Sequence, residues 1–225
     1  MRDFLVSAAH LFLGAECAVC GNPAWGACGP CLRVLDAGVP FPVHRHGLRI
    51  PVLAANNYRP ILEKLVPVFK DDGALHLSGV LSARLAQAVA GLHPPATVCL
   101  VPVPSLASAV RHRGNDHAVM LAARTARRLG VRCRPLLTRT AWGVDQRILG
   151  ARDRQRNVAG SMSALRLEAP VIIVDDVCTT GASLVEAARA LSEAGVLVLG
   201  GAVVGDADRR GWARERDFHP GGPQS

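Results

Sequence analysis

The chain has 225 residues, of which 49% are hydrophobic and 20% are charged. This length fits one domain of ordinary size with an appendage, and the apolar fraction is large enough to form a core. No apolar run reaches the roughly 20 residues that a membrane-spanning helix needs. The composition is also unlike that of a coiled coil or a disordered chain.

The net charge of +8 comes from one segment of the chain. Residues 111–156 contain 12 arginines and 3 aspartates, whereas the rest of the chain is close to neutral. A genomic preference for arginine would explain why only Lys64 and Lys70 are lysines, but it would not explain the clustering of the arginines. The clustering indicates an anionic ligand such as a phosphate or a nucleic acid.

The N-terminal region is interpreted as a short helix followed by a metal site. Asp3 and His10 interrupt the pattern of a signal peptide, so residues 1–15 are predicted to be a helix. Two pairs of cysteines follow, each with two residues between the thiols, and this spacing lets four thiolates surround one ion. The four residues are Cys17, Cys20, Cys28 and Cys31.

These cysteines predict a closed, structural zinc site, with Gly21, Gly26 and Gly29 supplying the backbone freedom that its turns need. So short a segment has too little apolar surface to hold itself together, so metal binding is predicted to be its main stabilisation. A redox pair and unrelated core cysteines are the alternatives. The odd total of seven cysteines argues against a disulfide framework and favours the reducing cytoplasm.

The remaining chain alternates short apolar strands with amphipathic helices. Strands are predicted at 52–55, 98–103, 134–137, 171–174 and 196–204, and helices at 60–69, 75–90, 117–129 and 182–194. This alternation predicts an α/β domain with a parallel sheet. The predicted parts are the helix and zinc motif (1–36), a Pro/His/Gly-rich connector (37–49), the α/β domain (50–205) and a frayed tail (206–225).

A phosphate site is predicted where the strand at 171–174 ends. The sequence from 174 to 183 reads VDDVCTTGAS, a strand end followed by a small-residue loop and a helix start. Free N–H groups and the positive dipole end of a helix favour a phosphate, and the hydroxyls of Thr179, Thr180 and Ser183 add donors. Ionised carboxylates only accept hydrogen bonds, so Asp175 and Asp176 are assigned to sugar hydroxyls.

The two acids are adjacent, and neighbouring side chains on a strand point to opposite faces. Both are therefore expected to reach one ligand only if the strand ends near Asp175. The alternative, in which Asp176 or Thr179 merely caps the helix, explains one residue and leaves the others without a role.

The segment 174–183 resembles the signature of type I phosphoribosyltransferases, whose ligand is phosphoribosyl pyrophosphate (PRPP). With the four cysteines, the chain from about residue 4 to 205 resembles the ComF family, named for bacterial competence for DNA uptake. Further stretches similar to this family are Val101 to Pro104 with Arg113 and Gly114, then Gln146, Leu149, Arg154 and Asn157, and Tyr58 with Lys70. Residues 115–117 depart from the family, which usually has Phe-Asn-Gln there.

The resemblance implies Mg²⁺-dependent binding of PRPP and a role for each matching group. Asp175 and Asp176 would bind the ribose. The 5′-phosphate would lie against Cys178, Thr179, Thr180, Gly181, Ala182 and Ser183. The pyrophosphate and a covering hood would involve Pro102, Val103, Pro104, Arg113, Gln146, Arg154 and Asn157.

Two side predictions concern reactivity. The candidates for a general base are Asp145 and His117, and each is expected to be solvated in a polar loop rather than catalytic. Cys178 is expected to be buried and inert, although a thiol exposed at a positive helix end would be reactive.

The activity implied by the resemblance is transfer of a phosphoribosyl group to an acceptor that the sequence does not identify. The alternative is a non-enzymatic factor that binds PRPP, single-stranded DNA or the DNA-uptake machinery, because clustered arginines also fit a DNA backbone. The scarcity of aromatic residues argues against DNA binding. Trp142 is the only aromatic residue between 111 and 156, and single-strand binders usually stack bases on aromatic side chains. A regulator that has lost turnover and a homodimer are also left open.

Overall fold

A computed structural model of the chain describes residues 16–71, 74–139 and 160–207. The helix predicted at 1–15 lies outside these residues. Within them, no helix has the length and apolarity needed to cross a membrane.

The described residues form a six-stranded sheet and a separate strand pair. The sheet contains, in chain order, β1 (Phe41–Pro42), β2 (Val52–Asn57), β3 (Cys99–Pro102), β4 (Arg132–Cys133), β7 (Val171–Cys178) and β8 (Val198–Asp206). Its spatial order is β1-β2-β8-β7-β3-β4, and every neighbouring pair is parallel except β1 with β2. The pair is antiparallel and consists of β5 (Leu137–Arg139) and β6 (Met162–Ala164). The prediction of an α/β fold with a mostly parallel sheet is confirmed.

Six α-helices accompany these strands in the part of the chain that the structure describes. They are α1 (Gly29–Asp36), α2 (Glu63–Asp71), α3 (Ser78–Gly91), α4 (Ala107–Arg113), α5 (His117–Leu129) and α6 (Ala182–Glu193). A π-type turn (Tyr58–Leu62) precedes α2, and a 3-10 turn (Leu75–Leu77) precedes α3.

The central strand β7 explains how the layers are arranged. Its first four residues are at most 1% exposed, because helices cover both faces of the sheet. Ile172 and Val174 pack in the cluster that contains apolar residues of α2, α3 and α5. Val171 and Ile173 pack in the opposite cluster, with residues of α6.

The cysteine segment is part of this packing rather than a separate body. Val19 and Leu35 belong to the same buried cluster as Leu65 and Phe69 of α2. The Lys64 ammonium also donates a hydrogen bond of 2.7 Å to the carbonyl oxygen of Val19. Apolar contact with α2 therefore adds to whatever stabilisation a metal provides.

Some predicted boundaries differ from the structure. The strand predicted at 134–137 is wrong, because β4 ends at Cys133 and β5 begins at Leu137. Arg134 still donates its N–H to the Leu100 carbonyl (3.0 Å), but Pro135 has no N–H and interrupts the ladder. Asp206, assigned to the tail by its sequence, is instead the last residue of β8.

Candidate functional site

A cavity of about 430 Å³ lies at the carboxyl ends of β3 and β7. Ligands of open α/β proteins bind at this edge of the sheet, and small-molecule sites commonly have roughly 300–1,000 Å³. The lining residues are Tyr58, Val66, Pro67, Phe69, Lys70, Val103, Pro104, Ser105, His117, Ala118, Leu121, Arg139, Asp175, Asp176, Val177, Thr179 and Ser183. Three stretches that resemble the family therefore meet in one place. They supply Tyr58 with Lys70, Val103 with Pro104, and residues of the segment 174–183.

Asp176 is fixed on the α2 side of this cavity. Its carboxylate is buried and forms an ion pair with the ammonium of Lys70. The other carboxylate oxygen accepts a hydrogen bond from the N–H of Val177 (2.8 Å). The ion pair places a positive charge beside the carboxylate and holds both groups at the cavity wall.

Asp175 lies on the other side, towards β5. Burial raises the pKa of Asp175, and the charge of Asp176 raises it further. Burial lowers the pKa of the Arg139 guanidinium, whereas the charge of nearby Asp175 raises it. Arg139 is anchored by a hydrogen bond from its Nε to the carbonyl oxygen of Pro104 (2.9 Å). Asp176 therefore contacts Lys70, whose charge also acts on Asp175, and the charge of Arg139 is close enough to Asp175 to respond to it.

The expectation that the strand must end near Asp175 is wrong. β7 continues to Cys178, and its last two residues still pair with β8. Both carboxylates line the cavity because it extends across the end of the strand and takes walls from both faces. One wall comes from α2, where Lys70 contacts Asp176, and the other comes from Arg139 of β5.

The predicted phosphate loop connects β7 to α6. Gly181 has φ +78°, a conformation that favours glycine, and it caps the helix N-terminus. The hydroxyl of Thr180 accepts a hydrogen bond from the N–H of Ala182 (3.3 Å). Thr179 and Ser183 line the cavity, so the two ends of the loop face it directly.

Cys178 differs from its predicted neighbours in this loop. Its side chain is 2% exposed, and burial raises the pKa of the thiol to about 11. The prediction of a buried thiol is confirmed, so the thiol itself is not available to a ligand.

The segment after β3 forms the wall opposite the loop. Val103 donates its N–H to the Val174 carbonyl (2.9 Å), which extends the contact between β3 and β7, and Pro102 is buried within β3. The Ser105 hydroxyl donates to Asp116 (3.0 Å). Asp116 also caps α5 by accepting from the N–H groups of Ala118 and Val119 (3.0 and 3.3 Å). The departure at 115–117 thus supplies a helix cap beside the cavity.

The other predicted residues of this region are only partly described. Arg113 is the last residue of α4 and is followed by Gly114 at φ +73°. Gln146, Arg154 and Asn157, together with Asp145, lie outside the described residues.

His117 is not solvated, so that expectation is wrong. It is 4% exposed, and its ring packs edge-on against Phe69, with ring centroids 5.1 Å apart. The reason is that α2 covers the start of α5. The sequence did indicate that His117 is buried, because His117 is four residues before Leu121 on the apolar face of the predicted helix.

The site also contains residues that the sequence did not single out. Arg139 is one of 12 arginines in its segment, and nothing local distinguishes it from the others. Phe69, Val66 and Leu121 complete an apolar floor. Their spacing identifies them as buried helix residues, but a core position and a cavity wall have the same pattern.

A second candidate site is the cluster of four cysteines. The Sγ atoms of Cys17, Cys20, Cys28 and Cys31 all lie within 4.8 Å of one another. Four thiolates around zinc, with Zn–S of about 2.3 Å, have sulfurs about 3.8 Å apart. The arrangement therefore fits one tetrahedral ion.

The turns that carry the cysteines use two of the three predicted glycines. Gly21 and Gly26 have φ +75° and +81°. Gly26 also lies against His76, since a Cβ there would be 2.1 Å from the imidazole Nε2. Gly29 instead begins α1, so its predicted role in a turn is wrong.

The thiols ionise with unequal ease. Burial raises the pKa of Cys17, but hydrogen bonds from the N–H groups of Cys28, Cys20 and Val19 outweigh it and lower the pKa to about 7. Burial raises the pKa of Cys28 and of Cys31. A cation is therefore needed for all four to be thiolates together, which is how metal-binding cysteine sets behave.

Residues 115–219 match the family model of the phosphoribosyl transferase domain. The match includes β7, the loop at 179–181 and β8, so this part of the chain is similar to the phosphoribosyl transferase domain. A comparison with curated protein sequences gave no match.

Solved structures similar to this chain include three phosphoribosyltransferases. The adenine phosphoribosyltransferase from Thermoanaerobacter pseudethanolicus is 18% identical, with a TM-score of 0.40 over 83% of this chain and 95% of that one. The adenine enzyme from Saccharomyces cerevisiae is 17% identical, with a TM-score of 0.37 over 80% and 90%. The orotate phosphoribosyltransferase from Aeropyrum pernix is 15% identical, with a TM-score of 0.35 over 78% and 79%.

Proposed function

We propose that this protein is a ComF-type phosphoribosyltransferase of the reducing cytoplasm, which binds PRPP in the 430 Å³ cavity. The observation that carries the proposal is the shared lining of this cavity. The carboxylates of Asp175 and Asp176 and the loop residues Thr179 and Ser183 all face it. A sugar phosphate needs both kinds of group, hydroxyl acceptors for the ring and donors for the phosphate.

The 5′-phosphate is proposed to lie against the start of α6. The first N–H groups of a helix have no partner within the helix, and the dipole there favours an anion. The hydroxyls of Thr179, Thr180 and Ser183 add donors, while Gly181 and Ala182 bring the backbone close to the phosphate. Cys178 takes part through its backbone alone, because its thiol is buried.

The ribose is proposed to lie against the acid pair. The Asp176 carboxylate, held by Lys70, accepts hydrogen bonds from ribose hydroxyls. Burial raises the pKa of Asp175, so this carboxyl gains most from a neighbour that donates a hydrogen bond or brings positive charge. The two acids are thus proposed to contact the ring together at the end of β7, where their carboxyl groups lie close to each other.

The leaving pyrophosphate is proposed to lie beside the segment 102–105. Pro102, Val103 and Pro104 would shape this end of the cavity, and Arg113 would supply positive charge. Gln146, Arg154 and Asn157 are proposed to cover the ligand. Mg²⁺, held mainly by pyrophosphate oxygens, would neutralise charge on the leaving group.

The proposed reaction breaks the bond between the anomeric carbon and the pyrophosphate oxygen. A nucleophile of the acceptor forms the new bond at that carbon and loses its proton, and pyrophosphate leaves with the bonding electron pair. The ring carbon is cationic in between, so the chain stabilises the step mainly by fixed charges and dipoles. No side chain is assigned as a general base.

The cysteine cluster is proposed to hold structural zinc. Cys17, Cys20, Cys28 and Cys31 occupy all four positions of a tetrahedral ion, which leaves none for a substrate. The metal would fix the two turns against α2 rather than take part in the transfer.

A second candidate function is binding of single-stranded DNA during uptake, with or without turnover. The observation that favours it is a set of exposed arginines on α5 and in and beside β4, which are Arg124, Arg127, Arg128, Arg132 and Arg134. No acidic residue lies between 117 and 139, so these charges are not neutralised within the segment. Backbone phosphates would be their ligands.

Release of pyrophosphate separates these functions. We expect PRPP with Mg²⁺ and a suitable purine, pyrimidine or other nitrogen acceptor to give pyrophosphate in stoichiometric amount with the new glycoside. In parallel, DNA affinity is measured across a salt series. A steep salt dependence of DNA binding, with no pyrophosphate from any acceptor, would favour the second function over the first.

A further inference from the structure

The segment between the cysteine cluster and β2 contributes a side chain that reaches the phosphate loop. Arg45 is 134 positions before Thr179 in the chain, yet its Nε donates a hydrogen bond of 2.8 Å to the Thr179 carbonyl. Its Nη1 donates to the His44 carbonyl (2.9 Å), and its Nη2 forms an ion pair with Asp206 at the end of β8. The side chains of both ion-pair partners are largely buried, at 12% and 8% exposed.

Arg45 contacts the phosphate loop but does not line the 430 Å³ cavity. It lines a separate cavity of about 260 Å³, together with Val43 and Leu48. Its aliphatic stem packs against the loop, since a Cβ built on Gly181 would be 3.0 Å from the Arg45 Cβ. The larger cavity is lined by Thr179 and Ser183 of the same turn.

This contact determines which way a loop peptide faces. In a trans peptide the carbonyl and the N–H point in opposite directions. The Thr179 carbonyl points to Arg45, so the N–H of Thr180 points away from Arg45. On either side of Thr180, Thr179 and Ser183 line the larger cavity, and Arg45 does not line it.

We propose that Arg45 is a positioning residue for the phosphate site. It holds the Thr179–Thr180 peptide so that the Thr180 N–H is presented to the 5′-phosphate of the ligand. Its own charge is already paired with Asp206, so it acts through the direction of its hydrogen bonds and not through its net charge. The inference rests on the proposed function, because it concerns the same phosphate.

The guanidinium is suited to this role by its shape. Its N–H groups form a rigid planar fork, which reaches the Thr179 carbonyl, the His44 carbonyl and the Asp206 carboxylate at once. A lysine keeps the charge but has one compact ammonium, so it cannot hold all three partners in these directions.

The test compares two ligand fragments by calorimetric titration. Ribose 5-phosphate carries the phosphate that the loop would bind, whereas pyrophosphate with Mg²⁺ carries only the leaving group. For Arg45→Gln we expect the affinity for ribose 5-phosphate to fall about tenfold, with the affinity for pyrophosphate changed less than about twofold. Arg49→Gln, an exposed arginine of the same segment, is the matched control and should bind both as the native protein does.

Further variants separate positioning from charge and from folding. Arg45→Lys should not recover the lost affinity, and full recovery would overturn the proposal. The double variant Arg45→Gln/Asp206→Asn removes both buried charges, so it avoids an unpaired carboxylate and should show the same selective loss. Equal affinity of the native protein and this double variant for ribose 5-phosphate would also overturn it. If the native protein itself binds neither fragment, the proposed function fails, whatever Arg45 does.

Discussion

Gly181 is constrained both by its backbone conformation and by the close contact of Arg45. Its φ of +78° is unfavourable for residues with a side chain, and its α-hydrogens face the stem of Arg45. Gly195, at the other end of α6, has only the conformational constraint. Its φ is +73°, but a Cβ there would meet nothing within 4 Å.

This difference makes a matched pair of variants. Gly195→Ala should lose about 1 kcal/mol of unfolding free energy, the cost of the left-handed conformation. Gly181→Ala should lose more than that, because Arg45 must move, and it should also weaken binding of PRPP. Denaturant unfolding and a PRPP titration of both proteins check this. Equal losses, with PRPP affinity unaffected, would show that Arg45 and the loop are not coupled.

Cys178 should be unreactive although it adjoins the phosphate loop. Burial raises the pKa of its thiol to about 11, so at pH 8 only about one thousandth is thiolate. We expect iodoacetamide to leave Cys178 unlabelled in the native protein and to label it fully in guanidinium chloride, as read by peptide mass spectrometry. Rapid labelling of the native protein would mean that the thiol is exposed.

A residue of the site could be predicted from the sequence when the pattern that identifies it lies within a few neighbouring residues. Asp175, Asp176 and the loop residues are consecutive, so their pattern is visible in ten letters of sequence. Arg45 and Arg139 act through contacts with residues far along the chain, and a sequence without the fold contains nothing that pairs them. The opposite faces of Asp175 and Asp176 followed from strand geometry, but the shape of a cavity that accommodates both did not.

At the scale of elements, Arg84 of α3 joins α1 to the sheet. Its side chain is fully buried and donates to the main-chain carbonyls of Asp36 in α1 (3.0 Å), of Gly38, and of Ala55 in β2 (3.0 Å). It also donates to the side chain of Asn56 (2.8 Å). The carbonyl of Asp36, the last residue of α1, has no partner within the helix and is satisfied in this way.

Removing this side chain should loosen α1 from β2. Arg84→Met is expected to lower the free energy of unfolding by about 3 kcal/mol, because several buried acceptors lose their donor. Arg33→Met is the control, since Arg33 is exposed on α1 and should change stability by less than about 0.5 kcal/mol. Urea unfolding measures both, and similar losses would mean that the buried network contributes no stability of its own.

The long helices could be predicted because their apolar residues recur at a clear helical spacing. The helix predicted at 117–129 matches α5 at both ends, since Asp116 caps its start and Gly130 follows its end at φ +69°. The short elements could not be predicted in this way. The two residues of β1 are a strand only because β2 lies beside them, and β4 and β5 are separated by three residues including Pro135.

At the scale of the whole molecule, the cysteine cluster and the α/β domain share one core. The segment holding Cys17 to Cys31 packs on α2, which also provides Lys70 and Phe69 to the large cavity. Loss of the proposed zinc is therefore expected to destabilise the whole chain and not only its N-terminal part. The sequence predicted the four ligands, but it could not show that apolar packing continues from them into the domain.

Metal removal tests this connection. Chelation should lower the unfolding free energy of the native protein by about 3 kcal/mol or more, which is about 10 °C in Tm for a chain of this size. Cys20→Ser should already have the lower Tm and should not respond to the chelator. Cys133→Ser, outside the cluster, should respond as the native protein does. An unchanged Tm after complete removal of metal would contradict a stabilising zinc site.

The acid pair and the loop are proposed to bind one sugar phosphate, and a thermal titration with PRPP and Mg²⁺ tests this binding. Ligand at about 100 times its Kd should stabilise the native protein by about 2.7 kcal/mol, or roughly 5–10 °C in Tm. Asp175→Asn/Asp176→Asn should show no such rise, whereas Asp36→Asn, an exposed acid on α1, should show all of it. A native protein whose Tm does not change with PRPP, or a double Asn variant that gains as much as the native protein, would show that the acid pair and the loop do not bind PRPP.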